Sequence, residues 1–315
     1  MTPNNPVFPA AAVIGTGMMG PGIALTLALG GVRVTILSRH AENAAAGLAT
    51  ARRQIDLLAG HGLAAAETAR IAHDLLGAST AFEETVAAAD LVIESAPENM
   101  EFKQELFARM DSIAKPGAVL ASNTSGLSIT SIASRCARPE RVLTTHFWNP
   151  PHLMPLVEIV RGEKTDAAIA ERIRALLEAC GKTPVVVKRD TPGQLGNRLQ
   201  MALVREAIHI VEEGIADVAD VDLAARKGFG LRLPVYGILE HQDMVGLDLG
   251  LSIVDYVARD LNNQPCAPDL MRRKVAGGEL GVKAGKGFYD WSKKDAEAVR
   301  ARRDRFVLEF LKAGY

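Results

Sequence analysis

Cysteine is scarce in this chain of 315 residues and occurs as Cys136, Cys180 and Cys266, with no CxxC pair. An odd number of widely spaced cysteines argues against a disulfide framework and against a zinc site. Two other features are missing: a basic segment in residues 1–9, and an apolar run of the roughly 18 residues needed to cross a bilayer. The sequence therefore predicts a protein of the reducing cytoplasm.

An excess of charge of one sign is missing as well. The 36 basic and 37 acidic residues leave a formal net charge of −1, so no overall field favours nucleic acid or an anionic membrane. Hydrophobic residues make up 48% of the chain, which at this length predicts a large buried core and two domains. A catalytic cleft between two domains fits this organisation.

Short β-branched runs alternate with helical stretches over residues 10–187, the pattern of a parallel sheet covered by helices. The strand candidates are residues 12–14, 33–37, 91–94, 119–122, 142–146, 155–160 and 183–187. Two Ala-rich helices at 42–59 and 66–76 form a hairpin inserted between the second and third strands. We predict an α/β fold with a Rossmann-type doubly wound sheet over residues 1–189.

Strand signals cease after the turn DTPG at 190–193, which we take as the domain boundary. A long helix follows from about 194 to 213, and Gly214 ends it. The charged segment 292–313 is typical of a solvated tail helix. Residues 190–315 are therefore predicted to form a smaller, all-α C-terminal domain.

A glycine motif, GTGMMG at 15–20, directly follows the first strand candidate and opens a helix. Gly15 permits a tight turn, Gly17 lets a pyrophosphate approach the backbone, and Gly20 lets helix and strand pack closely. The helix N-terminus then receives the negative charge. An ordinary Gly-rich turn is the alternative, but the strand before the motif and the helix after it predict dinucleotide binding.

The second strand ends in Leu37, Ser38 and Arg39, where an acidic residue normally binds the adenosine ribose 2′-hydroxyl. A guanidinium offers a planar fork of donors to a phosphate, and no carboxylate repels one here. The sequence therefore favours NADP(H). If Arg39 is only a surface charge, NAD(H) binds through backbone contacts instead.

Polar residues at the carboxyl ends of strands deserve weight, because open α/β sheets bind ligands there. One strand candidate ends at His146, and Glu158 stands alone inside the apolar run LVEIV at 156–160. A buried carboxylate is costly without a donor, and an imidazole titrates near neutral pH. We predict that Glu158 orients His146, which takes the hydroxyl proton when an alcohol is oxidised. The alternative is a histidine that is merely packed or exposed.

Asn197 heads an otherwise apolar stripe on the long helix, followed by Met201, Val204, Ile208 and Val211. Its amide could hydrogen-bond a substrate oxygen or the region of the histidine. Alternatively, it is a helix-start residue satisfied by nearby backbone.

These segments, in this order, resemble the short-chain 3-hydroxyacyl-CoA dehydrogenase family over residues 12–291. The matching segments are DLVIE at 90–94 with PEN at 97–99 and Lys103, SNTS at 122–125, HFWNP at 146–150 with LVE at 156–158, PG at 192–193 with NRL at 197–199, and GVKAGKGFY at 281–289. Because these segments occur in the same order as in the family, chance does not explain the match well.

The resemblance implies that His146 is the catalytic acid/base, that Glu158 is its partner, and that Ser125 and Asn197 bind the substrate's reacting oxygen. It places Glu98 and Lys103 beside the nicotinamide ribose, and it implies a homodimer assembled through the C-terminal domain. The motifs and the resemblance together predict cofactor contacts from Gly15, Gly17, Met18, Met19, Gly20, Ser38, Arg39, Glu98, Lys103 and Asn123.

Departures from the family pattern concentrate where the substrate is selected. The family commonly holds the CoA phosphates with lysines in the inserted hairpin, whereas the first lysine here is Lys103. Arg52, Arg53 and Arg70 are the candidate substitutes. These departures argue against a CoA thioester as substrate.

Three more departures surround the motifs of the site. Gln194 and Gly196 replace bulky residues of the family's PGFIVNR segment, and Trp148 changes the loop after the histidine. Relatives in the family act on free hydroxy acids, on gulonate, on carnitine or on a pyridine carboxaldehyde. The segments HFWNPPH at 146–152 and GEKT at 162–165 look most similar to the last of these.

The sequence thus predicts an NAD(P)-dependent dehydrogenase or reductase of this family, acting on a hydroxy or oxo carbon of a small acid or acyl-CoA. Two alternatives remain open: an NADPH-dependent imine reductase on the same scaffold, and a non-catalytic, crystallin-like dinucleotide-binding protein.

Overall fold

The computed structural model describes residues 8–314 and divides into two compact units, one ending at Arg198 and the other beginning at Leu199. The strands are β1 (Ala10–Ile14), β2 (Arg33–Leu37), β3 (Leu76–Ser79), β4 (Leu91–Glu94), β5 (Val119–Ser122), β6 (Val142–Phe147), β7 (Leu156–Arg161) and β8 (Thr183–Val187). The α-helices are α1 (Gly20–Leu29), α2 (Ala41–Gly60), α3 (Ala66–Leu75), α4 (Phe82–Ala88), α5 (Met100–Ile113), α6 (Ile129–Ile132), α7 (Ala167–Ala179), α8 (Gly196–Glu212), α9 (Val218–Lys227), α10 (Ile238–Val245), α11 (Leu247–Val257), α12 (Asp269–Ala276) and α13 (Ala296–Lys312).

One sheet in the order β3-β2-β1-β4-β5-β6-β7-β8 forms the centre of the first unit. The predicted doubly wound sheet is confirmed, and the strands from β3 to β6 in this order are parallel. The expectation of a parallel sheet throughout is wrong, because β7 runs antiparallel to β6, and β8 follows the direction of β7. The segment 148–155 between β6 and β7 contains no helix, and a parallel connection needs a crossover of a dozen or more residues.

The edge strand β3 was not predicted, and Leu76 was assigned to the preceding helix. The sequence of β3, LGAS, contains no β-branched residue, so its strand propensity is weak. Its backbone instead pairs with β2 from Val34 to Leu37. The two helices of the predicted hairpin are present as α2 and α3.

Apolar side chains of the sheet pack against α5 and α6 to form part of the core. Val92 and Leu120 lie on the sheet side of this cluster, opposite Phe107 and Met110 of α5 and Ile132 of α6. Burial of large apolar side chains is the dominant favourable contribution to such a fold. This packing fixes the ends of β4 and β5, whose following loops carry predicted site residues.

The second unit is helical and leaves many large apolar side chains in contact with solvent. On α11 these include Leu247, Leu251, Ile253 and Tyr256, the last of which is 81% exposed. Single exposed apolar residues are normal, whereas a continuous patch marks an interaction surface. Among residues 8–314, no helix combines the length and the apolar character needed to span a bilayer.

Candidate active site

The glycine motif forms the loop between β1 and α1, next to the end of β4, where chain order in the sheet reverses. Gly15 has a φ of +115°, and a Cβ there would overlap the carbonyl of Ser95. A Cβ at Gly20 would overlap the carbonyl oxygen of Gly15, whereas one at Gly17 would meet nothing within 4 Å. The loop therefore presents open backbone at Gly17, at the N-terminus of α1, and fits a pyrophosphate group.

The two methionines of the motif differ in position. Met18 is 74% exposed, and Met19 is the N-cap residue of α1 without a side-chain cap. Because the N-cap residue makes no side-chain hydrogen bond to α1, the backbone amides of the first turn stay available as donors. This arrangement agrees with backbone recognition of a phosphate group.

The end of β2 carries Ser38 and Arg39. The Ser38 amide donates to the Ser79 carbonyl at 3.2 Å, so β3 fixes the start of this loop. The Ser38 hydroxyl accepts from the His40 amide at 3.4 Å. Arg39 is exposed, and its guanidinium has no hydrogen bond or ion pair to any residue from 8 to 314. Its donors are therefore available to a ligand.

A buried ion pair lies at the end of β4. The Lys103 ammonium donates to Glu94 Oε1 at 2.6 Å, and both side chains are at most 1% exposed. The same ammonium lies 3.5 Å from Glu98 Oε2, on a carboxylate that is 45% exposed. The Lys103 ammonium is therefore buried behind Glu98, whereas the Glu98 carboxylate is accessible to solvent.

The loop after β5 is tied to the loops on either side of it. Glu98 Oε1 accepts from the Thr124 hydroxyl and, at 3.1 Å, from the Ser125 amide. Asn123 accepts from the Phe147 amide at 2.9 Å through Oδ1. These bonds hold Ser125 at the carboxyl edge of the sheet with its side chain exposed.

His146 and Glu158 face each other directly across the antiparallel pair of β6 and β7. Opposite residues in such a pair project to the same face with neighbouring Cβ atoms. His146 Nδ1 lies 2.7 Å from Glu158 Oε2, and the two side chains are 6% and 0% exposed. A carboxylate can only accept, so Nδ1 carries the proton and Nε2 is the nitrogen left for a substrate. Within residues 8–314, Nε2 has no hydrogen-bond partner.

Four donors surround the Glu158 carboxylate. Oε2 accepts from His146 and, at 3.1 Å, from the Trp148 indole. Oε1 accepts from the amides of Leu195 and Gly196 at 2.9 and 2.8 Å. Burial raises the pKa of Glu158, but these hydrogen bonds outweigh burial and hold the pKa below its usual value. The carboxylate therefore stays ionised beside the imidazole.

The start of α8 brings a further predicted residue to the same edge. Asn197 Nδ2 donates to the Ser125 carbonyl at 2.8 Å. Gln194, just before the helix, has a left-handed φ of 53° and donates from Nε2 to the Thr124 carbonyl at 2.9 Å. Both side chains therefore fix the loop after β5.

Sequence reasoning missed the donors that hold Glu158. Trp148 and Gly196 were recognised only as departures from a family pattern, and the Leu195 amide carries no sequence signal. The signal that could have found them is their clustering: three departures, Trp148, Gln194 and Gly196, fall within three residues of the histidine or of the asparagine.

Two family models together match most of the chain. Residues 10–191 match the 3-hydroxyacyl-CoA dehydrogenase NAD binding domain, and residues 193–291 match the C-terminal domain of the same family. The junction between the two matches lies in the turn 190–193, a few residues before the division between the compact units.

Curated relatives match over nearly their full length. The chain is 36% identical to the 5-formyl-3-hydroxy-2-methylpyridine 4-carboxylate 5-dehydrogenase of Mesorhizobium japonicum over 302 residues, covering 94% of this chain and 95% of that enzyme. It is 39% identical to the probable 3-hydroxybutyryl-CoA dehydrogenase of Bacillus subtilis over 283 residues, covering 90% and 97%.

Solved structures give the same two kinds of relative. A crystal structure of a 5-formyl-3-hydroxy-2-methylpyridine 4-carboxylic acid 5-dehydrogenase, described as an NAD⁺-dependent dismutase, has a TM-score of 0.89 at 32% identity and covers 97% of this chain and 98% of its own. The (S)-3-hydroxybutyryl-CoA dehydrogenase of Ralstonia eutropha has a TM-score of 0.75 at 32% identity, covering 90% and 99%.

Proposed function

The chain belongs to the 3-hydroxyacyl-CoA dehydrogenase family, and we propose that His146 and Glu158 are its acid–base pair for hydride transfer at the hydroxy or oxo carbon of a small substrate. The observation that carries this proposal is the buried contact of 2.7 Å between Nδ1 and Oε2 at the carboxyl edge of the sheet. A buried carboxylate fixes the tautomer of the imidazole and stabilises the imidazolium.

The residues of the glycine loop fit a nicotinamide dinucleotide. Gly17 leaves the space that a pyrophosphate needs, and Gly15 and Gly20 cannot carry a side chain without overlap. Glu98 is accessible for the ribose, with Lys103 as the cation behind it. When bound, the nicotinamide supplies the hydride acceptor in oxidation and the hydride donor in reduction.

The protein's own groups handle the proton. In oxidation, His146 Nε2 accepts the hydroxyl proton of the alcohol as the C=O bond forms, and Glu158 stabilises the resulting imidazolium. In reduction, the imidazolium returns that proton to the developing alkoxide. Ser125 and Asn197, linked to each other at 2.8 Å, are proposed to hold the reacting oxygen, where donors stabilise negative charge.

The cofactor preference is proposed to be NADP(H), although the relative with the TM-score of 0.89 is described as NAD⁺-dependent. Arg39 is exposed and unpaired within the described residues, and Ser38 puts no carboxylate at the end of β2. A guanidinium at this place binds a 2′-phosphate through its planar donors.

The proposed substrate is a small hydroxy or oxo compound without CoA. Of the candidate phosphate ligands, Arg70 pairs with Glu67 and Asp74, and Arg53 donates to Thr50. Arg52 is the candidate without such a partner among the described residues. The pyridine-carboxylate enzyme has a TM-score of 0.89, against 0.75 for the 3-hydroxybutyryl-CoA dehydrogenase of Ralstonia eutropha. This difference also supports a substrate without CoA.

We also propose a cytoplasmic homodimer that pairs through the second unit. The second unit supports this, because α11 exposes several large apolar side chains together rather than a single one. Ile253→Asp should therefore shift the mass measured by light scattering from dimer to monomer. An unchanged mass would show that α11 lies outside the interface.

The experiment that tests the proposed function is a substrate panel. NADH and NADPH are each mixed with the protein and with acetoacetate, acetoacetyl-CoA, 5-formyl-3-hydroxy-2-methylpyridine 4-carboxylate or a cyclic imine. We expect oxidation of the reduced cofactor, followed by its absorbance, with an oxo compound that lacks CoA. Turnover of the imine alone would favour the imine reductase, and no turnover with any compound would favour the non-catalytic alternative.

A further inference from the structure

Trp148 lies two residues after His146, and its indole contacts the same carboxylate oxygen. Trp148 Nε1 donates to Glu158 Oε2 at 3.1 Å, while His146 Nδ1 lies 2.7 Å from that oxygen. The two rings have centroids 5.6 Å apart and are tilted by 46°. A neutral donor and the proposed acid–base group therefore share one acceptor atom.

The absence of a side chain at Gly196 makes room for this indole. A Cβ built at Gly196 would overlap Trp148 Cζ2, while the Gly196 amide donates to the other carboxylate oxygen at 2.8 Å. The bulky ring and the missing side chain are thus complementary. Together they enclose Glu158, which is 0% exposed.

We propose that Trp148 is a positioning residue that lowers the proton affinity of His146 by competing with it for Glu158 Oε2. The proposal rests on the proposed function, in which His146 exchanges a proton with the substrate. It assigns a role in the chemistry to a residue that would otherwise be read only as a change in the shape of the substrate loop.

The direction of the effect follows from the charge on the shared oxygen. Each donor to a carboxylate oxygen takes up part of its negative charge, and hydrogen bonds to charged groups in a buried site are strong. Loss of the indole N–H leaves more of that charge for the imidazolium. The protonated form of His146 is then stabilised, and the imidazole titrates at a higher pH.

Other charged groups on the neighbouring elements have partners of their own. Glu98 contacts Lys103 and the loop after β5. Lys182 donates to the carbonyls of Pro151 and Met154 on the loop after β6, and Arg198 donates to the Pro192 carbonyl. Ser122 and Asn123, at the end of β5 next to β6, are uncharged. Within residues 8–314, Glu158 is the charged side chain that contacts His146.

The test is the titration of His146 in Trp148→Phe, followed by NMR of the labelled histidine rings and assigned with His146→Gln. Phenylalanine keeps an aromatic ring at position 148 and removes the donor, together with the benzo ring of the indole that lies beside Gly196. We expect the midpoint of the His146 signal to rise by about 0.5 to 1 pH unit, the equivalent of a ~3- to 10-fold change in the proton equilibrium. Trp291→Phe, which changes a tryptophan of the second unit, should leave the midpoint in place.

An unchanged or lowered midpoint in Trp148→Phe would overturn the proposal. A second measurement does not require that variant to fold: in Trp291→Phe, Trp148 becomes the sole tryptophan, since the chain has 2. Its emission should follow the His146 titration and lose that dependence in the double variant with His146→Gln. Emission that does not change with pH would contradict the contact.

The failure of the proposed function would look different. If His146→Ala retained full turnover in the substrate panel while Trp148→Phe shifted the midpoint, the proposed acid–base role would fail and the effect of the indole on the imidazole would stand. If His146→Ala abolished turnover and the midpoint did not move, only the role of Trp148 would fail. When both hold, the pH below which alcohol oxidation declines should rise with the midpoint in Trp148→Phe.

Discussion

Glutamine at position 158 would keep the shape of the side chain while it changes what each atom can accept. The carboxylate takes four hydrogen bonds, from His146 and Trp148 on Oε2 and from the Leu195 and Gly196 amides on Oε1. An amide has one acceptor oxygen, so its NH₂ group must face one of the two donor pairs. Two donors would then lose their partner and face another N–H group.

The cost can be worked from these contacts. A hydrogen bond to a charged group contributes about 1.5–3 kcal/mol, so Glu158→Gln should lower the free energy of unfolding by roughly 3–5 kcal/mol at neutral pH. The imidazole also loses the group that fixes its tautomer, and kcat should fall by roughly 10²- to 10⁴-fold.

The loss of stability should depend on pH. Hydrogen bonds hold the pKa of Glu158 below its ordinary 4.5 in the folded protein. A carboxyl with a depressed folded pKa contributes stability above its unfolded pKa, and this contribution disappears as pH falls through the folded pKa. The difference between wild type and Glu158→Gln should therefore be complete at neutral pH and narrow below a pH of about 4.

Urea unfolding at neutral pH and at a pH below about 4 measures the change in the free energy of unfolding. Turnover of the substrate identified in the panel measures the change in kcat. Asp111→Asn is the matched control, because Asp111 is 2% exposed and accepts from Arg141 and from the amides of Ala137 and Arg138, all of which precede β6. It should destabilise the protein comparably while the folded variant keeps kcat within about twofold. A Glu158→Gln variant within 1 kcal/mol of wild type, or with kcat within about tenfold, would refute the reasoning.

Two further predictions concern the cofactor. Arg39→Asp should shift the ratio of kcat/KM for NADPH over NADH by about tenfold or more toward NADH, since it replaces an exposed donor fork with a carboxylate; an unaltered ratio would show that this side chain does not contact the 2′-phosphate. Gly17→Ala should weaken cofactor binding, measured by calorimetry, while the melting temperature stays within a few degrees, because a Cβ at this position meets no protein atom within 4 Å. Gly20→Ala is its control and should lower the melting temperature, because its Cβ would overlap the Gly15 carbonyl.

Features with a local cause could be predicted from the sequence. The spacing of GTGMMG after a strand is sufficient for the turn, and the isolated polar residue in LVEIV requires a buried donor. Both His146 and Glu158 were therefore found, and the structure places their side chains within hydrogen-bond distance.

Features that depend on strand register or on backbone donors could not be predicted from the sequence. The direct opposition of His146 and Glu158 follows from the antiparallel pairing of β6 and β7, and the sequence pattern suggested parallel strands. The family resemblance places Lys103 beside the nicotinamide ribose and does not indicate that its ammonium is buried against Glu94. The donor at Gly196 is a backbone amide, which the residue type does not indicate, so only the fold reveals this hydrogen bond to Glu158.

The most direct test of the acid–base role is the turnover of His146→Ala compared with its affinity for NADPH and NADH. This variant lacks the imidazole whose Nε2 exchanges the proton, and it leaves the glycine loop after β1 unchanged. We expect kcat to fall by roughly 10²-fold or more while both cofactor dissociation constants stay within about twofold of wild type. A variant that turns over the same substrate at the wild-type rate would contradict the account.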